Sequence, residues 1–315
     1  MKLHLDLDIA ALQPALQHRS QVLLTGSCFT EHIGSHMQRL KMNTFLNPHG
    51  IIFNPSSIAH SLRTCMRAIP YTANTLFLQN ELWHHWDFHS RYSHTQRETA
   101  LQSMNTSLLQ AHDFLKTADW LFITLGSAYQ YHYKPDAYPV ANCHKVPAHQ
   151  FDKKLLQADH LLTDWQQLMQ ELLQFNPKLQ VLFTVSPVRH YRDGLIENNL
   201  SKAQLLLLCH ALCNTWEQAH YFPAYELVID VLRDHRFYDA DLVHPNIQAV
   251  DYVWERFVAA AFDVDQQTLL QKIQKIVTAT QHRVQHTATD ANRKFQLQLQ
   301  LQIQELQQAY PYLRF

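Results

Sequence analysis

Short apolar runs alternate with longer amphipathic stretches along this chain, and the alternation predicts its fold class. Gln21 to Thr25 (QVLLT), Trp120 to Leu125 (WLFITL), Val181 to Val185 and Tyr225 to Val231 have the length and apolar continuity of buried strands. Between them run stretches with helical spacing. One follows Gly26 to about Lys41. A second is capped by Ser56 and Ser57 and carries Ile58, Leu62, Cys65, Met66 and Ile69 on one face. Others cover Thr95 to Ala118, Asp152 to Phe175 (stopped before Pro177), Asn199 to Ala219, and Pro245 to about Phe262. Leu76 to Phe88 predicts a strand, turn, strand unit around Asn80, and Tyr129 to Val140 an inserted hairpin. Strands alternating with helices argue an α/β fold with a mainly parallel sheet covered on both faces. Function is then expected at the carboxyl ends of the strands, where Gly26, Gly126 and Ser186-Pro187 fall.

Beyond residue 262 the pattern changes. Phe295 to Ile303 (FQLQLQLQI) alternates strictly, the period of a strand. Leucine and glutamine are strong helix formers, however, and on a helix Phe295, Leu299, Ile303, Leu306 and Tyr310 share a face. We expect a helical, glutamine-rich extension over 263–315 after a domain over 1–262. Its apolar face is expected either to pack on that domain or to make a homodimer.

Composition narrows the function classes. Hydrophobic residues are 46 % of the 315, which is globular rather than disordered. A net charge of −1 with 17 % charged residues has no electrostatic footprint for nucleic acid or an anionic membrane. No run approaches the ~18 apolar residues of a membrane span. The start, MKLHLDLDIA, lacks the apolar stretch of a secretory signal. Five cysteines with no C-x-x-C are expected to be reduced thiols in the cytoplasm. Only five glycines occur, so each is expected where a side chain does not fit.

Ser27 lies just after a buried strand and just before a helix. A hydroxyl there is exposed at the sheet edge beside the free N–H groups of the helix N-terminus, which suits a nucleophile whose product is an oxyanion. It needs a base. His244, in Asp241-Leu-Val-His244-Pro245, is the candidate, with Asp241 to orient it. Ser27 can equally be a plain helix cap. Ser127 and Cys28 are rival nucleophiles at similar positions. In Trp83-His-His-Trp-Asp-Phe-His89, strand geometry would put His85, Asp87 and His89 on one side, a plausible ligand set for zinc or iron and the basis of an alternative metal-dependent hydrolase. Asn142, His144 and Arg189 are candidates for substrate binding. The expectation carries no cofactor and no resident metal.

Gly26-Ser-Cys-Phe-Thr-Glu-His-Ile-Gly34 resembles the signature of the GSCFA family, with Thr30 in place of the alanine. Asn47-Pro-His-Gly-Ile-Ile-Phe-Asn-Pro55, Asn142-Cys-His-Lys-Val-Pro147, Ser186-Pro-Val-Arg-His190, Arg233-Asp-His-Arg-Phe-Tyr238 and Asp241-x-x-His244-Pro245 resemble further blocks in the same order. That family looks like a branch of the SGNH/GDSL-type hydrolases. The resemblance implies a flavodoxin-like three-layer α/β/α sandwich and a Ser-His-Asp site, with Ser27 as nucleophile, His244 as base and Asp241 as its partner. It also implies an oxyanion hole from the Ser27 N–H and a second-block glycine, for which Gly50 is the candidate. The third block departs: Leu125-Gly-Ser-Ala128 lacks the usual asparagine, leaving Asn54, Asn142 or the Gly126 backbone to replace it. The implied activity is hydrolysis of acyl esters, O-acyl groups on carbohydrate among them, with acyl transfer equally compatible. A small-molecule or glycan ester is the expected partner. The missing asparagine also motivates a third reading, a binding module that has lost the chemistry.

Overall fold

The computed structural model of the chain describes residues 5–281 and 289–315. Its centre is a five-stranded parallel sheet built from β1 (Gln21–Gly26), β2 (Asn43–Leu46), β5 (Trp120–Leu125), β9 (Gln180–Val185) and β10 (Ala219–Tyr221). Across the sheet the order is β10-β9-β5-β1-β2. Numbered by appearance, the five core strands therefore lie 2-1-3-4-5, the flavodoxin-like order. The order reverses between β1 and β5, so the crevice at their carboxyl ends is the expected ligand position. Gly26 and Gly126 mark those two ends.

The sheet divides two cores because strand side chains alternate between faces. Val22, Leu24, Trp120, Phe122 and Leu182 face α1 (Cys28–Arg39) and α7 (Ile247–Ala261). Leu23, Leu121, Ile123, Val181, Phe183 and Val185 face α2 (Pro55–Arg67), α3 (Arg97–Thr117), α4 (Ala158–Phe175) and α5 (Leu195–Thr215). A hairpin of β3 (Phe77–Gln79) and β4 (Leu82–His84) turns at Asn80 and Glu81, both left-handed (φ 48° and 62°), the twist a tight hairpin needs. A small antiparallel sheet, ordered β7-β6-β8, joins β6 (Tyr129–Tyr133), β7 (Tyr138–Val140) and β8 (Phe151–Leu155).

The tail is helical: α8 (Val264–Gln281) and α9 (Asp290–Ala309). Leu299, Leu306 and the following Leu313 are buried in the α1/α7 core, with Phe295, Ile303 and Tyr310 packed against it. The predicted stripe is thus used within the chain, and propensity prevails over the period-two pattern. Of the other leucines in that repeat, Leu297 and Leu301 are exposed.

Three elements differ from expectation. Tyr225 to Val231 is not the fourth core strand. Its residues form α6 (Ala224–Glu226) and a π-helical turn, Leu227–Leu232, with Leu227 and Val228 buried. A short apolar run has no period to separate strand from helix, and the true strand is β10, three residues long and preceding it. β2 escaped notice as a half-exposed edge strand. The helix expected from Asp152 starts at Ala158, because Phe151–Leu155 pairs with β6 instead.

Candidate active site

Ser27 follows β1 directly and caps α1. Its Oγ accepts a hydrogen bond from the Phe29 N–H at 3.3 Å. Gly26 makes this close turn feasible: its φ is +144°, and a Cβ there would sit 2.3 Å from the Thr124 carbonyl oxygen. Ser27 is buried, yet it lines a cavity of about 700 Å³ together with Cys28, Ser127, Asn142, Arg189, Asp241 and His244.

The Asp241–His244 loop forms another side of the cavity. His244 Nδ1 lies 2.6 Å from Asp241 Oδ2, while Asp241 Oδ1 accepts the N–H groups of Val243 (2.9 Å) and His244 (3.0 Å). These bonds, led by those from His244, hold the Asp241 carboxyl down at about 2. The carboxylate stays ionised at neutral pH and favours the tautomer with the proton on Nδ1, leaving Nε2 as the basic nitrogen. Leu242 completes the turn in the left-handed region (φ 59°). Asp239 N–H to His244 O at 2.8 Å closes the loop on itself, and Arg189 N–H to Val243 O at 3.4 Å ties it to the segment after β9. Both dyad side chains are about half exposed (46 % and 50 %). Among the described residues no hydrogen bond joins His244 to Ser27.

The expected oxyanion donors are engaged in this conformation. The Ser27 N–H donates to Thr124 O (3.2 Å), the Gly50 N–H to Asn47 O (2.7 Å) and the Gly126 N–H to Phe53 O (2.8 Å). Asn54 caps α2 through its Oδ1, and its amide nitrogen donates to Tyr129 O at 2.9 Å. Each of these groups satisfies a neighbouring main-chain carbonyl, as buried polar groups must. Asn142 is different. It lines the cavity and its Oδ1 holds the His144 N–H at 2.9 Å, while its amide nitrogen has no partner among the described residues. The Cys28 N–H, opening α1, makes no main-chain hydrogen bond among the described residues.

His144 does not reach the cavity. It is buried, with Nε2 at 2.9 Å from His85 O and Nδ1 at 3.2 Å from Ser90 Oγ, and burial pushes its pKa down to about 4. Ser127 is a wall residue whose Oγ accepts the Tyr129 N–H and sits 3.3 Å from Ser201 Oγ. Burial raises the Cys28 thiol pKa, against the pull of the Phe29 N–H.

The His85, Asp87, His89 set is not assembled. β4 ends at His84, so strand alternation stops before these residues. His89 instead caps a short 3₁₀ turn and lines the Ser27 cavity. Asp87 accepts from His60 Nε2 (2.9 Å), Tyr71 Oη (3.1 Å) and Tyr138 Oη (2.9 Å), with His85 Nδ1 3.8 Å away. Among the described residues no three His, Cys, Asp or Glu side chains converge as a metal site.

A family model described as the GSCFA family matches residues 21–257. The chain belongs to the GSCFA family. A second model, the C-terminal domain of GSCFA proteins, matches residues 273–315. No curated protein matches this GSCFA chain. Among solved structures, one crystal structure is similar over 78 % of this chain and 96 % of its own, at 12 % identity and a TM-score of 0.38. A carbohydrate esterase family 3 structure from Talaromyces cellulolyticus is similar over 81 % of this chain and 99 % of its own, at 11 % identity and a TM-score of 0.34. No helix among the described residues is long and apolar enough to cross a membrane.

Sequence reasoning missed Lys202. Its side chain is only 1 % exposed, and Nζ donates to Gly126 O (2.6 Å) and Ser186 O (2.7 Å), the residues that follow β5 and β9. Beside it, Ser201 Oγ accepts the Ala128 N–H at 2.8 Å. This GSCFA protein therefore braces the Gly126–Ala128 segment from α5. Burial lowers the Lys202 pKa to about 7, against the opposing influence of the Cys28 thiol. The signal was present: Asn198, Ser201, Lys202, Leu205, Cys209 and Leu212 share one buried helical stripe.

Proposed function

We propose that this protein is a serine hydrolase of acyl esters, built like the SGNH/GDSL enzymes its motifs resemble. The observation that carries this reading is the 2.6 Å Asp241–His244 pair on the wall of the cavity that Ser27 lines. In the reaction the Ser27 Oγ–H proton passes to His244 Nε2 as Oγ bonds to the ester carbonyl carbon. His244 then returns that proton to the departing alcohol, and water repeats the sequence to free the acid. The half-exposed loop has to draw toward Ser27 for this. Such contacts tighten in substrate complexes. The Asn142 amide and the Cys28 N–H are the donors this conformation leaves for the oxyanion. O-acyl groups on carbohydrate are the proposed substrates. Five free thiols support a cytoplasmic setting. Self-association through the tail would use the outward Leu297 and Leu301.

A fluorophosphonate probe followed by intact-mass measurement tests the assignment. One adduct on the wild type, absent in Ser27→Ala, is expected. An adduct that persists in Ser27→Ala sinks it. The engaged amides favour a second reading, a non-catalytic binding module. Turnover of 4-nitrophenyl acetate that is lost in His244→Ala excludes that second reading.

A further inference from the structure

A cavity of about 580 Å³ adjoins the Asp241–His244 loop and shares a wall with the Ser27 cavity: Arg189, Tyr191, Asp241 and Val243 line both. The rest of its lining combines apolar surface, from Leu195, Ile229 and Tyr238, with the guanidinium of Arg233. The charges here are unevenly satisfied. Asp241 is taken up by its own loop and by His244. Asp234 accepts the Arg236 N–H at 2.9 Å, and its other oxygen lies 3.4 Å from Arg236 Nε. Neither the Arg189 nor the Arg233 side chain has an ion pair or hydrogen bond among the described residues.

Arg233 is held at the rim by its backbone. It ends the Leu227–Leu232 π turn in the left-handed region (φ 45°), with its N–H on Val228 O at 3.2 Å. A side chain other than glycine rarely sits there, and such positions cluster where a fixed orientation is used. Two guanidiniums are permanently charged and repel one another. Over apolar surface, the chemistry that satisfies both is a planar or tetrahedral oxyanion bound through paired N–H groups.

We propose that this cavity binds a carboxylate or phosphate carried on an apolar body, and that it receives the anionic arm of the substrate whose ester reaches Ser27. The second half rests on the serine-hydrolase reading; the anion site itself does not. Arg189, facing both cavities, bridges the two halves of such a substrate.

Titration calorimetry on the full chain with hexanoate, hexyl phosphate and hexanol tests the site. At least one anion is expected to bind at least about tenfold more tightly than hexanol, the lower end of a charge-assisted pair. The tighter of the two anions names the oxyanion. Arg233→Gln, an exposed position, should weaken that anion about tenfold and leave hexanol unchanged. Equal binding of hexanol, or no effect of Arg233→Gln, overturns the site. Inorganic phosphate binding as tightly as hexyl phosphate overturns the apolar body. Competitive inhibition of 4-nitrophenyl acetate turnover by the tighter anion supports the shared substrate, and binding without inhibition overturns it. Anion binding by a protein whose Ser27 takes no probe sinks the hydrolase reading and the substrate arm, while the anion site stands. Labelling of Ser27 without anion binding does the reverse.

Discussion

Two aspartate–histidine pairs in this protein have the same chemistry and opposite surroundings. Asp87 is buried and accepts from His60, Tyr71 and Tyr138 at once, and neighbouring His49 is locked between Ser61 and Tyr71. Asp241 is exposed and, among the described residues, bonds within its own loop, and the His244 it holds lines a cavity with no hydrogen-bond partner shown for its Nε2. In the first region hydrogen-bonding capacity is consumed to join β7, α2 and the segment after β4. In the second it orients one ring and leaves a basic nitrogen uncommitted. A carboxylate beside an imidazole does not by itself mark a catalytic site. The two differ in whether a ring nitrogen is left without a partner on a residue that lines a cavity.

The comparison breaks most clearly at His244. His244→Ala is expected to cut ester turnover by about 10⁴- to 10⁶-fold, with an unfolding midpoint close to that of the wild type. A comparable loss of stability would mean the exposed pair is structural after all. Asp87→Ala should do the opposite. It removes the acceptor shared by Tyr71, Tyr138 and the more exposed His60 and should cost about 1–3 kcal/mol in urea unfolding. The probe-labelling rate per folded molecule should stay unchanged.

Acid sharpens the contrast further. Burial lowers His49 to about 3 and His144 to about 4, so in the folded protein both stay neutral well below the ordinary value of 6.5. The unfolded chain then takes up protons the folded one refuses. Stability is full above pH 6.5 and falls between pH 6.5 and about 4, by about 1.4 kcal/mol per pH unit for each such histidine. Thermal unfolding across that range should show the slope, and His144→Gln should flatten it; an unchanged slope would mean His144 is not buried as a neutral ring. Asp241, held down at about 2, keeps its contribution across this range and loses it only as the pH falls below the ordinary carboxylate range.

The smallest effect belongs to the loop itself. Leu242 is exposed at φ 59°, where an L side chain costs about 1–2 kcal/mol and glycine pays mainly in entropy. Leu242→Gly is expected to leave stability unchanged or raise it by up to about 1 kcal/mol. A loss of more than that, in the same urea assay, would show that the side chain holds the loop.

Much of the fold was legible in the chain. The apolar runs at Gln21, Trp120 and Val181 are core strands because continuous burial on both faces leaves room for little beyond apolar side chains and the small hydroxyls of Thr25, Thr124 and Thr184. The helical stripe of the tail was legible from propensity. Tyr225–Val231 was not, since a run of that length buries equally well as helix or strand. β10, three residues long, carries too little pattern to announce itself. The site was legible in part. Ser27, Asp241 and His244 were identifiable by motif and do line one cavity, whereas His144 faces away from it and His85, Asp87 and His89 do not converge. Lys202 could have been found, because a lysine on a buried stripe demands partners.

By itself the sequence determined the alternation of strands and helices, the helical tail and the local Asp241–His244 turn. These depend on periodicity, propensity and spacing over a few residues. Only the tertiary structure decided which amides remain free, which histidines are sealed inside and which basic side chains lack a partner. Those properties depend on hydrogen bonds between segments up to a hundred residues apart, and local pattern carries no record of them.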